Sequence, residues 1–240
     1  LPAVMFMLSI TAIMVFVLLD PNQLINFFKS MTYANAFLSN HFFMRDVNYF
    51  DEGISNAFLL HTWSLSVEEQ YYLFFPFVFY LLVKSKRASL RIGVGLFFLL
   101  SFLLAQWGSS NLPDKNFFFT PSRLWEFGFG IASGILLFNY NIKKSNLMSL
   151  VGIAMLVAGL FVFDSATLNP SVATLIPVIG TCLIILYASQ SGKVNYLLNA
   201  SLIRKIGLIS FSLYLFHQPF LEFLYLKKYG YGFDDVFMVI

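Results

Sequence analysis

Long apolar stretches, separated by short polar segments, run along the whole chain. Each is about long enough to cross a hydrocarbon core of roughly 30 Å as an α-helix. Seven such spans are predicted, over residues 1–19, 66–83, 92–107, 122–139, 147–163, 171–189 and 206–226, and an eighth begins near residue 236. The pattern predicts an all-α fold, a polytopic bundle of transmembrane helices.

Segment 31–44 is also hydrophobic, but it is shorter and carries Asn35, Ser39, Asn40 and His41. A stretch of this length is more typical of a re-entrant or interfacial helix than of a full crossing. The alternative, that it does cross, would reverse the direction of the first span. We favour the form that does not cross.

Basic residues cluster in alternate loops, at Lys84 to Arg91, at Lys143 and Lys144, and at Lys193 to Lys205. The positive-inside rule places these loops in the cytoplasm. It follows that the intervening loops face outward; they cover residues 44–65, 108–121, 164–169 and 227–235.

Composition agrees with a membrane protein. The chain is 58% hydrophobic and 11% charged, whereas a soluble domain carries about 25% charged residues. The net charge of +3 is small, and the basic residues are spread between spans, so nucleic acid is not an expected partner. Cys182 is the one cysteine, which excludes both a disulfide framework and a cysteine metal cluster within this sequence.

The segment HTWSLSVEEQYY, residues 61–72, places three ionisable side chains where an apolar helix begins: His61, Glu68 and Glu69. Ionisable groups at membrane depth are expensive, so they indicate a functional site. Ser66 and Glu69 have the spacing of a capping box, which would give Glu69 a structural role.

Glu68 would then lie on another face of the helix, shared with Ser64, Tyr71 and Tyr72, where it needs a cation, a metal or a hydroxyl as partner. His61 and Trp63 each have two interpretations. His61 is either functional or an interfacial histidine bonded to a loop carbonyl. Trp63 is an interfacial anchor as much as a binding residue.

A second polar group opens the span at residue 122, where Arg123 and Glu126 stand three positions apart and can pair on one helix face. The pair is either only structural or a fixed guanidinium fork for a phosphate, carboxylate or carbonyl. Gly128, Gly130 and Gly134 follow, and they predict close approach of another helix or a ligand.

A third polar group lies in the last full span. Ser210, Tyr214 and His217 share one helical stripe, and Pro219 is expected to interrupt the helix beside them. A lone histidine here is either a hydrogen-bonding group between helices or part of a polar cavity, which Glu222 favours. In the orientation above, all three polar groups fall near the outer membrane boundary. We therefore predict that they converge in one wet pocket.

These stretches, in this order, resemble the acyltransferase 3 family of bacterial membrane O-acyltransferases. The resemblance rests on Leu1-Pro-Ala, Phe37-Leu-Ser-Asn, Tyr49-Phe-Asp, HTWSLSVEEQYY, SRLWEFGFG at residues 122–130 and IGLISFSLYLFHQP at residues 206–219. It implies that residues 1–240 are part of a transmembrane acyltransferase domain that lacks its first two spans and is truncated in its last. It also implies that this part is inactive alone, because the principal catalytic histidine of the family lies in the missing spans.

The resemblance further implies transfer of an acyl group, acetyl by expectation, from acetyl-CoA or another acyl-CoA to a sugar hydroxyl of a surface polysaccharide or its lipid-linked precursor. The expected location is the bacterial inner membrane, with the lipid bilayer as a partner and an extracytoplasmic esterase-like domain as a possible neighbour. The candidate catalytic residues are Glu68, His61 and Arg123. The candidate substrate-binding residues are Trp63, Ser64, Glu69, Tyr72, Glu126, Tyr214 and His217.

No metal site and no bound cofactor are expected. Two other classes remain open. A transporter or flippase for a polysaccharide precursor would use buried ionisable groups equally well. A scaffold that only holds glycosyltransferases in the membrane is the third.

Overall fold

The computed structural model describes residues 2–45, 57–84, 88–164, 166–189 and 192–229. In these ranges the chain forms α-helices joined by short turns, with no β-strand, so the all-α prediction is confirmed there. The helices are α1 Pro2–Leu18, α2 Pro21–Asn35, α3 Ser39–Arg45, α4 Thr62–Lys84, α5 Ala88–Asn111, α6 Pro113–Phe118, α7 Leu124–Asn139, α8 Asn146–Val162, α9 Leu175–Tyr187, α10 Lys193–Leu198 and α11 Ser201–Tyr229.

Every one of the seven predicted spans contains a helix, but seven complete crossings are not confirmed. Among the described residues, only Ile92–Asn111 of α5 is both long and apolar enough to cross a membrane, with 20 residues and a hydropathy of 1.7. Four further helices are apolar but shorter: Pro2–Leu18, Leu124–Asn139, Asn146–Val162 and Val172–Tyr187. The span expected near residue 236 lies outside the described residues.

The prediction of one helix over residues 31–44 is wrong, because two helices share this segment. α2 begins ten residues earlier, where Asp20 and Gln23 form a reciprocal capping box: the Gln23 amide donates to Asp20 Oδ1 over 2.9 Å. α2 ends at Asn35, and Phe37 has a left-handed backbone with φ 54° before α3 starts. The prediction rested on hydrophobic positions and therefore missed the polar first turns of α2. These turns begin at Pro21, directly after the Asp20 cap.

The chain divides into two compact units, residues 1–74 with 207–240 and residues 75–206. The core of the first unit joins α1, α2, the turn at 57–59, the start of α4 and α11. Its fully buried side chains include Met7, Phe27, Phe58 and Leu215, and the rings of Phe27 and Phe58 meet edge to face at 6.3 Å. This packing fixes the start of α4 beside α11.

In the second unit, α8 and α9 touch through two glycines. A Cβ on Gly152 would lie 2.5 Å from the Gly180 carbonyl oxygen, and a Cβ on Gly180 would lie 2.9 Å from the Gly152 carbonyl oxygen. Any side chain at either position would therefore push the helices apart. Contact through small residues is the usual way in which membrane helices approach closely.

Candidate functional site

One face of the HTWSLSVEEQ segment is structural. The Thr62 hydroxyl donates to Ser39 Oγ over 2.9 Å, and Ser66 Oγ accepts the Ser39 amide over 3.1 Å. One turn later, Gln70 Nε2 donates to the Phe37 carbonyl over 2.8 Å. Thr62, Ser66 and Gln70 are spaced four apart, so this stripe holds the corner between α2 and α3 against α4.

The capping box predicted for Ser66 and Glu69 is wrong. α4 begins at Thr62, so Ser66 lies in the second turn, where its hydroxyl donates to the Thr62 carbonyl over 3.1 Å. Glu69 is half-buried. The sequence reasoning placed the helix start too late because it began the span at the apolar run rather than at the polar turn before it.

The neighbouring face of α4 meets Tyr214 of α11. The Tyr214 hydroxyl donates to the His61 carbonyl and is hydrogen-bonded to the Ser64 hydroxyl. The Tyr214 carbonyl in turn pairs with His217 Nδ1 over 2.6 Å. A carbonyl only accepts, so His217 Nδ1 is the donor in this hydrogen bond. Tyr214 thus orders both histidines.

The His61 ring is packed among these groups. Its centroid lies 5.6 Å from that of Tyr214 and 5.4 Å from that of His217, and the residue is only 6% exposed. Among the described residues, neither ring nitrogen has a hydrogen-bond partner. Burial, and next the neighbouring His217, lower the pKa of His61 from 6.5 to about 4. His61 is therefore an uncharged imidazole at neutral pH.

Pro219 does not interrupt α11, contrary to the prediction; the helix runs unbroken from Ser201 to Tyr229. A proline has no N–H, however, and cannot donate to the carbonyl four residues earlier, which is that of Leu215. The Leu215 backbone lies beside His61 and opposes the lowering of the His61 pKa. The His61 ring nitrogens do not reach hydrogen-bond geometry with it. The proline thus leaves an acceptor available at the histidine.

The other predicted residues of this unit lie at the margin of the cluster. Glu68 is exposed, and it is near enough to the Tyr214 hydroxyl to act on it electrostatically. Trp63 is half-buried. Tyr72 is 56% exposed, and its described ring contact is with Tyr71, so the structure does not bring it to His61. Ser210 is exposed and donates to the Gly207 carbonyl of its own helix, so the structure does not bring its hydroxyl to the cluster.

The predicted pair in the second unit is present. Arg123 Nη1 lies 3.7 Å from Glu126 Oε2, with 11% and 24% of the two side chains exposed. Arg123 Nε donates to the Phe117 carbonyl over 2.9 Å, and the guanidinium carbon sits 4.9 Å from the centroid of the Phe117 ring. The guanidinium is therefore fixed in place from three directions.

The glycine prediction is only partly confirmed. A Cβ on Gly128 would lie 2.7 Å from the Phe98 ring of α5, so close approach is real at that position. Gly130 and Gly134 have no described atom within 4 Å of a built Cβ, so no described helix approaches them closely, and approach of a ligand there stays a prediction. Gly128 faces α5, whereas the other two face away from the helices described.

The first unit thus brings together His61, Ser64, Tyr214 and His217, while Arg123 and Glu126 belong to the second unit. The single pocket joining both groups stays a prediction. Sequence reasoning missed the structural stripe of Thr62, Ser66 and Gln70. Its signal is visible, because three polar side chains at four-residue spacing mark one face of the helix.

Comparison with known proteins identifies the family. The model of the acyltransferase 3 family, described as an acyltransferase domain, matches residues 1–240. The chain belongs to this family. The predicted resemblance is therefore confirmed, and members of the family are membrane proteins.

Two relatives add detail. An uncharacterized protein of Haemophilus influenzae is 30% identical over 203 residues, which are 78% of this chain and 81% of that protein. The O-acetyltransferase OatA of Staphylococcus aureus is 25% identical over 252 residues, and the match covers 93% of this chain but 39% of OatA. No solved structure matches the chain. The family and the relatives support acyl transfer of the O-acetyltransferase class as the activity.

Proposed function

We propose that this acyltransferase 3 chain transfers an acetyl group from acetyl-CoA to a sugar hydroxyl of a surface polysaccharide or its lipid-linked precursor, in the bacterial inner membrane. The observation that carries the proposal is the buried, uncharged His61, ordered by Tyr214 and next to His217. A buried polar ring without a hydrogen-bond partner weakens a fold. Its presence is better explained by chemistry than by packing.

In the proposed reaction, the sugar hydroxyl oxygen attacks the thioester carbonyl, and the carbon–sulfur bond breaks. We assign His61 as a proton acceptor, either directly or by relay from the principal histidine that the resemblance places in the preceding spans, and the proton then passes to the leaving thiolate. At neutral pH one His61 ring nitrogen holds a lone pair and can accept the proton, but a pKa of about 4 makes the ring a weak base unless its charged form is stabilised. The Leu215 carbonyl beside the ring would then accept the imidazole N–H and stabilise the charged form.

Tyr214 and Ser64 act here as positioning residues, since they hold the His61 backbone rather than its ring. Glu68, at the margin of the cluster, would orient the acceptor sugar. Arg123 supplies a permanent positive charge, and we assign it to the donor phosphates or to the oxyanion that develops on the carbonyl. Its restraint by Phe117 and Glu126 supports this role, because a fixed charge loses no reorganisation energy during the reaction.

The test uses the full-length protein in a bacterial host whose surface polysaccharide is O-acetylated by this enzyme alone. His61→Gln should lower O-acetylation by about 10²-fold or more. Tyr214→Phe should lower it less, since the ring of His61 remains. His41→Gln is the matched control, a histidine of the same unit that lies on α3 away from the cluster, and it should leave O-acetylation unchanged.

Unchanged O-acetylation in a folded, membrane-inserted His61→Gln variant would contradict the proposal. The same measurement distinguishes an acetyltransferase from a transporter. A flippase variant would lose the surface polysaccharide itself, whereas an acetyltransferase variant keeps the polymer and loses only its acetyl groups.

A further inference from the structure

An apolar cavity of about 400 Å³ lies in the second unit, between α5, α7 and the start of α9. Its size falls within the range of small-molecule sites, about 300–1,000 Å³. The lining residues share one property, the absence of a charged or hydrogen-bonding side chain apart from one indole: Gly95, Phe98, Leu99, Phe102, Trp125, Gly128, Phe129, Ala132 and Leu175. Apart from the Trp125 indole N–H, which has no hydrogen-bond partner among the described residues, the lining offers nothing to pair with polar groups of an occupant, so the cavity suits a hydrocarbon.

The cavity opens on the outer face of α5. Leu99 and Phe129, which line it, are 51% and 38% exposed, and they continue an apolar surface that includes Leu96 and Leu103. α5 is the described helix that is long and apolar enough to cross a membrane. If α5 crosses, the phase that meets this opening is the bilayer interior, whose molecules are acyl chains.

Glycines create the hollow. At Gly128 a side chain would strike the Phe98 ring at 2.7 Å, so the glycine lets that ring form the cavity wall. At Gly95 no described atom lies within 4 Å of a built Cβ, so the space above this position is open. Trp125 and Phe102 also line the cavity, and their rings meet edge to face at 5.0 Å.

We infer that this cavity binds one acyl chain of a bilayer phospholipid. The inference goes beyond acetyl transfer, and it rests only on the membrane location contained in the proposed function. The lipid would brace α5 against α7 where no side chain fills the space between them.

The test places the full-length protein in phosphatidylethanolamine vesicles that contain a phospholipid with a photoactivatable acyl chain. After illumination, labelled peptides are mapped by mass spectrometry. Gly95→Phe fills the cavity mouth, whereas Gly93→Phe adds the same ring on the same helix outside the lining, at a position equally free of neighbours. Label on Phe98, Phe102 and Phe129 should fall at least about tenfold in Gly95→Phe, which corresponds to about 1.4 kcal/mol of binding free energy, and persist in Gly93→Phe.

Equal labelling in the two variants, or label spread evenly over the exposed face of α5, would overturn the inference. Alkaline extraction of the same vesicles separates its failure from that of the proposed function. Release of the protein from the vesicles would refute the membrane location and the lipid site together. Firm retention with undirected labelling would refute the lipid site alone, and O-acetylation measured on the same preparations shows that the enzyme is intact.

Discussion

Among the residues that the structure describes, two basic side chains are buried, His61 and Arg123, and their surroundings are opposite. Arg123 is fixed by a carbonyl, a carboxylate and an aromatic ring. His61 has ring neighbours, but among the described residues its nitrogens have no hydrogen-bond partner. The two residues belong to different units, so each environment is built by its own set of helices.

The difference follows from what each group can do with its proton. A guanidinium keeps its charge at any pH that a protein survives, so its burial requires compensating partners. An imidazole can give up its proton and enter an apolar environment uncharged, at the cost of a lowered pKa. A paired cation therefore indicates a fixed charge, whereas a neutral, unpartnered ring indicates a group kept available for reaction.

The largest expected effect on stability comes from breaking the ion pair between Arg123 and Glu126. Arg123→Met leaves the Glu126 carboxylate without its cation and should lower the free energy of unfolding by about 3–5 kcal/mol. Adding Glu126→Gln removes the orphaned charge and should restore much of this loss. Thermal unfolding of the purified full-length variants measures both effects, with the exposed Arg204→Met as the control that should leave the midpoint unchanged. Equal thermal midpoints for Arg123→Met and Arg204→Met would show that the buried Arg123–Glu126 pair is not needed for stability.

A smaller effect is expected from acidification at His61. The pKa is about 4 in the folded protein and near 6.5 when unfolded, so the unfolded state binds more protons between these values. The contribution of neutral His61 is complete above pH 6.5 and is lost as the pH falls toward 4, by up to about 3 kcal/mol. Thermal midpoints measured across this window should therefore fall more steeply for the wild type than for His61→Leu.

The Leu variant gives a clear test, because above pH 6.5 an apolar side chain in place of an unpartnered neutral ring should leave stability equal or higher. The variant should therefore unfold at the same or a higher temperature near neutral pH, and the difference between the two proteins should widen in acid. Parallel curves throughout the window would show that burial does not lower the pKa of His61 in the folded protein.

The sequence predicted what depends on local spacing. Apolar run length located the helices, and the spacing of Arg123 and Glu126 predicted their ion pair. Membership in the acyltransferase 3 family was also predicted, from the order of its short motifs. The helix and ion-pair signals each lie within a few residues along the chain, and the family signal is a series of such short motifs in a fixed order.

The sequence failed where distant residues decide the structure. Ser66 has the pattern of a cap, but Ser39 of α3 takes its hydroxyl as an acceptor and α4 starts earlier. The contact between residue 61 and Tyr214 joins positions 153 apart in the chain, and no periodicity encodes it. Pro219 is a helix breaker by rule, yet the packing of α11 keeps the helix continuous through it.

The central claim, that His61 is an uncharged buried imidazole, is tested most directly by its own titration. Selective ¹⁵N labelling of the histidine rings in the full-length protein reports their protonation by NMR, and the His61→Gln spectrum assigns the signals of His61. We predict that these signals stay those of a neutral ring below pH 6.5 and change only near pH 4. A His61 ring that is half-protonated at pH 6.5 would contradict the account.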